Sequence, residues 1–258
     1  MNKFVIIGGG NMGGAIARGL ASSGYKTQLV VVDIDPSVSL ELNELGIKTS
    51  TNALSAVADA DGVLIAVKPW LVDSVLEQIA PSIVKRNILL VSLAAGVSIA
   101  ELRKQVGDAL PVLRLMPNTA VTVGESMSFI SASKVDDALL IQFEEMFSEL
   151  GKLMVIKEEL MPAATALASC GIAFALRYLR ASAEAGVEVG FTASQAHEIV
   201  AQTMLGAAEL VLQNESHPEA EIDKVTTAKG VTIKGLNAME EAGFSAAVMA
   251  GIFVSNQS

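Results

Sequence analysis

The chain has 258 residues, 51% of them apolar and 18% charged, with a formal net charge of −10. That length and apolar content suit one large domain or two modest ones with a full hydrophobic core, and exclude a disordered chain. The acidic balance, with no basic stripe, excludes a protein that grips a nucleic-acid backbone, because such sites cluster Lys and Arg.

The N-terminal MNKFVIIGGG runs from a short apolar stretch straight into glycines and is too short for a signal peptide. Residues 4–7 are the first of five apolar runs that read as strands buried on both faces; the others are 29–33, 62–67, 88–93 and 112–115. Helical patterns over 11–22 and 69–79 lie between them. Strand and helix in alternation predict an α/β domain with a doubly wound parallel sheet. A further strand pair is expected at 126–130 and 152–156, on either side of a helical 136–150.

The first strand opens into VIIGGGNMGGAIARGL. Gly8, Gly10 and Gly13 stand in G-x-G-x-x-G order, after a strand and at the start of a helix, and Asp33 ends the next strand. That context is the dinucleotide fingerprint. Gly8 permits the tight turn, Gly10 lets backbone approach the pyrophosphate, Gly13 lets helix and strand pack closely, and the helix N-terminus offers N–H groups to the anion. Asp33 can accept both ribose hydroxyls and would repel a 2′-phosphate. Ile34, Asp35, Pro36 and Ser37 supply no Arg or Lys to hold one, so charge favours NADH over NADPH. AVKPW (66–70), SLAAGVS (92–98) and RLMPNT (114–119) end the later strands at the carboxyl edge, where ligands of open α/β sheets bind. The small Ala94, Ala95 and Gly96 leave room for a nicotinamide ribose, and Asn118 offers a hydrogen bond to it.

After residue 157 the strand signals stop. Helices are expected at 158–186, 192–214, 230–243 and 244–254, with Thr192 as an N-cap and NESHP (214–218) as a breaker. The organisation reads as a dinucleotide-binding domain over 1–157 and an all-helical domain over 158–258. The uncharged stretch 160–176 is short for a membrane span and reads as a buried core helix. It contains Cys170, the one cysteine, so no intrachain disulfide exists and a reducing, cytoplasmic setting is expected. Small, unusually apolar helices point to homo-oligomerisation. With two histidines, His197 and His217, and one cysteine lacking any ligand spacing, no metal site is expected. The segment 223–236, DKVTTAKGVTIKGL, reads as a polar loop that turns into an amphipathic helix.

GGGNMGGAI, AVKP, SLAAGVSI, RLMPNT and EIDKVTTAKGVTIKGL follow one another in the order and spacing of the pyrroline-5-carboxylate reductases, which the chain resembles over essentially its whole length. The resemblance implies NAD(P)H-dependent reduction of 1-pyrroline-5-carboxylate to L-proline. It also implies an N-terminal Rossmann domain and an all-α dimerisation domain, with dimers or dimer-based higher oligomers carrying the substrate site at the subunit interface. It places cofactor contacts on Gly8, Gly9, Gly10, Asn11 and Met12, on Asn52, and on Ala66, Val67, Lys68 and Pro69, with Ala94 and Ala95 near the nicotinamide. The substrate loop falls on 226–232, through Thr227, Lys229, Gly230, Val231 and Thr232. Its N–H groups hold the substrate carboxylate, and the Thr232 hydroxyl reaches the imine nitrogen. Two departures stand out. The family's Ser/Thr-Pro-Gly-Gly reads Thr227-Ala228-Lys229-Gly230, and its Ser-Gly-Ser-Gly-Pro-Ala helix segment reads Ala168-Ser169-Cys170-Gly171-Ile172-Ala173. Without the proline that helix is expected to be straighter.

A cyclic imine needs little beyond orientation and a hydrogen bond at nitrogen, so the lack of a placed catalytic histidine fits. Two other readings stand beside this one. A related imine or β-hydroxyacid dehydrogenase is the first; hydroxyacid oxidation calls for a lysine in the interdomain helix, and 158–186 holds Arg177 and Arg180 but no lysine. The second is a silent dinucleotide-binding regulator, which would bind cofactor without turnover.

Overall fold

Short runs such as FVII and GVLI carry no polar face, so they persist as strands only where both sides are covered. In the computed structural model, which describes residues 1–256, this is where they lie. β1 (Phe4–Ile7) leads through α1 (Asn11–Leu20) to β2 (Leu29–Val32), α2 (Pro36–Glu44), β3 (Lys48–Ser50), α3 (Ala53–Val57) and β4 (Gly62–Ile65). α4 (Val72–Arg86), β5 (Leu89–Ser92), α5 (Ile99–Val106) and β6 (Val112–Met116) follow. β7 (Ser126–Ser133), α6 (Asp137–Phe147) and β8 (Gly151–Val155) complete the sheet, whose order is β3-β2-β1-β4-β5-β6-β7-β8.

Alternate residues of β1 enter opposite cores. Phe4 and Ile6 pack with Ile16 and Leu20 of α1 and with Phe143 and Phe147 of α6. Val5 and Ile7 pack with Val57 of α3, Leu76 and Ile79 of α4 and Leu102 of α5. The sheet is parallel except between β6 and β7, which pair antiparallel. The connection from Met116 to Ser126 is a short 3-10 turn at Thr119–Val123, too short for the crossover that parallel pairing needs. The all-parallel expectation holds on either side of that joint. α4 continues beyond the expected end at residue 79 and runs through Pro81. Pro81 is exposed, so the carbonyl it leaves unpaired one turn earlier is open to water.

The chain divides into two compact units, Met1–Ser169 and Cys170 onward. The division lies beyond residue 157 because the next turns belong to the sheet unit. α7 (Met161–Ala164) buries Met161 and Ala164 against Phe129 of β7. The proline-free segment that follows is not plain α-helix. Thr165–Ser169 winds as a single π-helical stretch. Asn118 Nδ2 donates to the Ala168 carbonyl at 3.5 Å and Ser169 Oγ to the Pro117 carbonyl at 3.4 Å. π-bulges are themselves recognised sites of helix bending, so this segment departs from plain α-helix without the proline.

The second unit comprises α8 (Cys170–Glu188), α9 (Ala193–Asn214), α10 (Pro218–Val225), α11 (Val231–Glu241) and α12 (Phe244–Ser255). Thr192 caps α9 in a capping box with Gln195. α10 replaces the start of the expected polar loop. His217 accepts from the Glu219 N–H as its N-cap and Pro218 occupies its first turn, where a proline lacks no needed hydrogen bond. Among the described residues of this unit, the buried hydrophobic ones are Ala183 and Ala196. Leu176, Leu205, Leu212, Phe253 and Val254 are all more than half exposed. The stretch 160–176 is therefore not a core helix within one chain: Leu167 and Leu176 lie open because too few helices surround it. Among the described residues, the run Glu158–Glu188 is the single helix long and apolar enough to cross a membrane.

Candidate active site

β3, β2, β1, β4, β5 and β6 run parallel, so their carboxyl ends share one edge. The residues that follow those ends are the proposed cofactor contacts: Gly8 to Met12 after β1, Asp33 after β2, Asn52 after β3, Ala66 to Pro69 after β4, Ala94 and Ala95 after β5, and Asn118 after β6.

The glycine loop is shaped by contacts that leave no room for a side chain. Gly8 has φ +101° and its N–H donates to the Val32 carbonyl at 2.8 Å. A Cβ on Gly13 would meet the Gly8 carbonyl oxygen at 1.9 Å, and one on Gly9 would meet Val38 Cγ1 at 2.5 Å. Gly10 differs: a Cβ there meets nothing within 4 Å. Gly10 is also the N-cap of α1 and provides no side-chain cap. The first turn of α1 thus presents N–H groups toward open space, a fit for a pyrophosphate.

Asp33 organises the neighbouring turn. Its Oδ2 accepts from the Gly9 N–H at 2.6 Å and its Oδ1 from the Asp35 N–H at 2.9 Å. Each oxygen retains a second lone pair for a ribose hydroxyl. Asp35 caps α2 by accepting from the Ser37 hydroxyl and N–H, which hold its carboxyl below the usual aspartate range. Two aspartates thus stand at the end of β2. Asn52 caps α3 through the Ser55 N–H at 2.9 Å. Ala94 is buried, whereas Ala95 and Gly96 are exposed. Asn118 is buried with both ends of its carboxamide engaged: Oδ1 accepts from the Ala120 N–H at 3.1 Å and Nδ2 holds Ala168. Its geometry is that of a fastener between β6 and the π-helical stretch.

The proposed substrate loop lies in the second unit. The Gly230 N–H donates to the Thr227 carbonyl at 2.9 Å, closing a four-residue turn. Lys229, its third residue, has φ +63°. A positive φ at that place alone is the requirement of a type II turn, which Pro-Gly meets best. The chain keeps the turn with Ala228 and Lys229 in those two places. Gly230 is then the N-cap of α11 without a side-chain cap, and a Cβ on it would meet Thr227 Oγ1 at 2.6 Å. Since the Gly230 N–H closes the turn, the next free N–H groups are those of Val231 and Thr232. Val231 is 85% exposed and Thr232 is exposed beside it.

Two features of the first unit carry no role in the sequence reading. Arg114 Nη1 pairs with Glu158 Oε1 at 2.8 Å, and the same oxygen accepts from the Ile99 N–H at 2.7 Å, so Glu158 ties β6 to the start of α5. Trp70, just past the β4 loop, is 76% exposed; its place directly after AVKP was the available signal.

Comparison with known proteins bears on the whole chain. The sequence model described as pyrroline-5-carboxylate reductase dimerisation matches residues 158–257, and that of NADP oxidoreductase coenzyme F420-dependent proteins matches residues 3–96. Pyrroline-5-carboxylate reductase 2 of Dictyostelium discoideum is 38% identical over 98% of this chain and 90% of its own length. The chain belongs to the pyrroline-5-carboxylate reductase family. Pyrroline-5-carboxylate reductase 1 of the same organism is 40% identical over 99% of this chain, which spans 49% of that longer protein. The crystal structure of Plasmodium falciparum pyrroline carboxylate reductase with NADP bound superposes with a TM-score of 0.87 at 26% identity, covering 99% of this chain and 95% of that one. For a pyrroline-5-carboxylate reductase, the Rossmann-like sheet and the helical second unit are the expected fold.

Proposed function

We propose that the protein reduces 1-pyrroline-5-carboxylate to L-proline with a nicotinamide dinucleotide. The observation that carries this reading is the 38% identity, over 98% of this chain, to a reductase of that name, an alignment that spans both the glycine cradle and the Thr227–Thr232 turn. The first unit would hold the dinucleotide: the α1 N-terminus and Gly10 at the pyrophosphate, Asp33 at the ribose, and Ala94 and Ala95 beside the nicotinamide. Bound nicotinamide supplies the hydride. The second unit would hold the substrate. The Val231 and Thr232 N–H groups receive its carboxylate at the N-terminus of α11, a placement worth roughly 0.3–1 kcal/mol when exposed. Thr232 Oγ1 would accept a hydrogen bond from the N–H of the protonated imine, whose retained proton keeps the ring carbon electrophilic. Lys229 takes part through its backbone in the turn, and its ammonium faces solvent.

NADH is the proposed cofactor. Charge supports this: Asp33 and Asp35 stand together after β2, and residues 34–37 bring no cation to hold a 2′-phosphate. A homodimer or a dimer-based assembly is also proposed, because the apolar surface of α8, α9 and α12 lies uncovered in one chain; a reducing, cytoplasmic setting is proposed from the single cysteine. Purified protein should oxidise NADH when pyrroline-5-carboxylate is added, with a higher kcat/KM than for NADPH. Dinucleotide binding without substrate-dependent turnover would leave the regulator reading standing instead. Sedimentation should give a mass well above 26.8 kDa; a monomer would remove the dimer from the proposal.

A further inference from the structure

One cavity of the sheet unit belongs to neither the glycine loop nor the Thr227–Thr232 turn. It measures about 590 Å³, within the range of about 300–1,000 Å³ typical of small-molecule sites. Ser131 and Ser133 of β7 line it, with Lys157 and Glu158 beyond the end of β8. Ser133 and Ser131 pair with Val112 and Arg114 at the start of β6, so this end of β7 lies away from the carboxyl edge that carries the cofactor loops. β8 stops pairing at Val155, opposite Ile130, which leaves the last residues of β7 without a neighbouring strand on that side.

The polar groups of this cavity are unevenly partnered. Ser131 is 4% exposed, yet its hydroxyl bonds to no group among the described residues. No sealed side-chain oxygen or nitrogen among the described residues lacks a partner, so the Ser131 hydroxyl is open to the cavity that it lines. A hydroxyl so placed costs free energy unless an occupant or water bonds it. Ser133 Oγ accepts from Arg103 Nη2 at 2.8 Å, which leaves its own O–H to donate. Arg103 gives its other bonds to carbonyl oxygens, so its charge stands behind that hydroxyl without a carboxylate to balance it. Lys157 Nζ lies 3.9 Å from Glu159 Oε1, too far for a hydrogen bond. Glu158 brings the opposite sign. Its Oε1 is taken by Arg114 Nη1 and the Ile99 N–H, and its Oε2 accepts from no group among the described residues. Ile99, Val155 and Ile156 supply the apolar lining.

We propose that this cavity binds the zwitterion of a small aliphatic α-amino acid. The Ser131 and Ser133 hydroxyls donate to its carboxylate, and Lys157 adds charge at the same end. Glu158 Oε2 accepts from its ammonium, and its side chain lies against Ile99, Val155 and Ile156. A simple carboxylate would leave Glu158 Oε2 unanswered, and a simple amine would leave the two hydroxyls so. The site uses neither the dinucleotide nor the imine, and it stands or falls apart from the proposed reaction.

Calorimetry on the full chain tests it, with L-valine as the probe. L-valine should bind. Isovalerate, which lacks its ammonium, and isobutylamine, which lacks its carboxylate, should each bind about ten-fold more weakly or less, the scale of one lost hydrogen bond to a charged group. Ser131→Ala should keep the thermal midpoint, because the hydroxyl it removes has no partner in the fold, and should weaken L-valine about ten-fold. Thr232→Ala should leave the affinity for L-valine unchanged. Wild-type affinity in Ser131→Ala, equal binding of isovalerate or isobutylamine, or no binding of L-valine at millimolar concentration overturns the proposal. Loss of L-valine in Thr232→Ala but not in Ser131→Ala would put the amino acid at the α11 turn and overturn it as well.

Discussion

The backbone N–H of Gly9 donates to Oδ2 of Asp33 across the β1–β2 edge at 2.6 Å. One carboxylate therefore shapes the glycine loop and sets the charge beside the ribose. Removing it has two effects of different sign. Asp33→Ala should lower kcat/KM for NADH about ten-fold, through the loosened loop and the lost ribose contact, while NADPH loses less because a repulsive charge has gone. The ratio of kcat/KM for the two cofactors is the measurement. An unchanged ratio would show that Asp33 only shapes the turn.

Gly10 and Gly13 belong to one motif but should fail differently. A Cβ at Gly13 collides with the Gly8 carbonyl, whereas at Gly10 it enters open space. Gly13→Ala should destabilise the fold by about 2–4 kcal/mol, as overpacking against backbone does. Gly10→Ala should leave the thermal midpoint unchanged and weaken NADH binding. Equal losses of stability in the two variants would contradict the open cradle at Gly10.

Lys229 and Thr232 separate conformation from chemistry at the α11 turn. Lys229→Gly removes a non-glycine residue at φ +63° and should stabilise the protein by about 1 kcal/mol, with KM for the imine within about two-fold of wild type. A much larger KM would mean that the ammonium grips the carboxylate. Thr232→Ala should keep the thermal midpoint, because its side chain is exposed, and lower kcat/KM about 10- to 100-fold, the scale of one hydrogen bond to a charged group. Wild-type kcat/KM in that variant would end the role of Thr232 at the imine.

Hydrogen-bonded and ion-paired carboxylates set the acid limb expected for stability. Glu101 accepts from the Ser98 N–H at 2.7 Å and from its hydroxyl at 2.8 Å, and these bonds hold it below its ordinary 4.5. A carboxylate depressed in the folded state contributes stability that is complete above its unfolded value and is lost as pH falls through the folded one. Asp35, Asp59 and Glu221 are shifted in the same direction. The thermal midpoint should fall below about pH 4.5, and Glu101→Gln should flatten that fall. An equally steep limb in the variant would assign the acid sensitivity elsewhere.

Much of this architecture was legible because the central strands have no polar face. β1, β2, β4, β5 and β6 fall at the expected runs, and the glycine fingerprint sits where a strand meets a helix. β3 is three residues of KTS at the sheet margin and carries no hydrophobic alternation, so it does not read as a strand. α10 was hidden by polar composition, although His217 and Pro218 formed a readable start signal. The bulge at Thr165–Ser169 meets Asn118, about fifty residues away in sequence, a contact that no local pattern carries. At the proposed site, residue types were visible but their competing duties were not. The Asn118 carboxamide and the Gly230 N–H are both taken by the fold.

Apart from Ser245 and Ser255, α12 is made of apolar residues and glycine, and its Phe253 and Val254 stay open in a single chain. In the proposed dimer, a segment of that kind would tie folding to mass action. The midpoint of thermal unfolding should climb as total protein concentration rises, by the logarithmic dependence of a coupled association. A damaged allele that still folds its helices would also draw intact copies into mixed assemblies, so a lesion in this half of the chain would act on its neighbours as well as on itself.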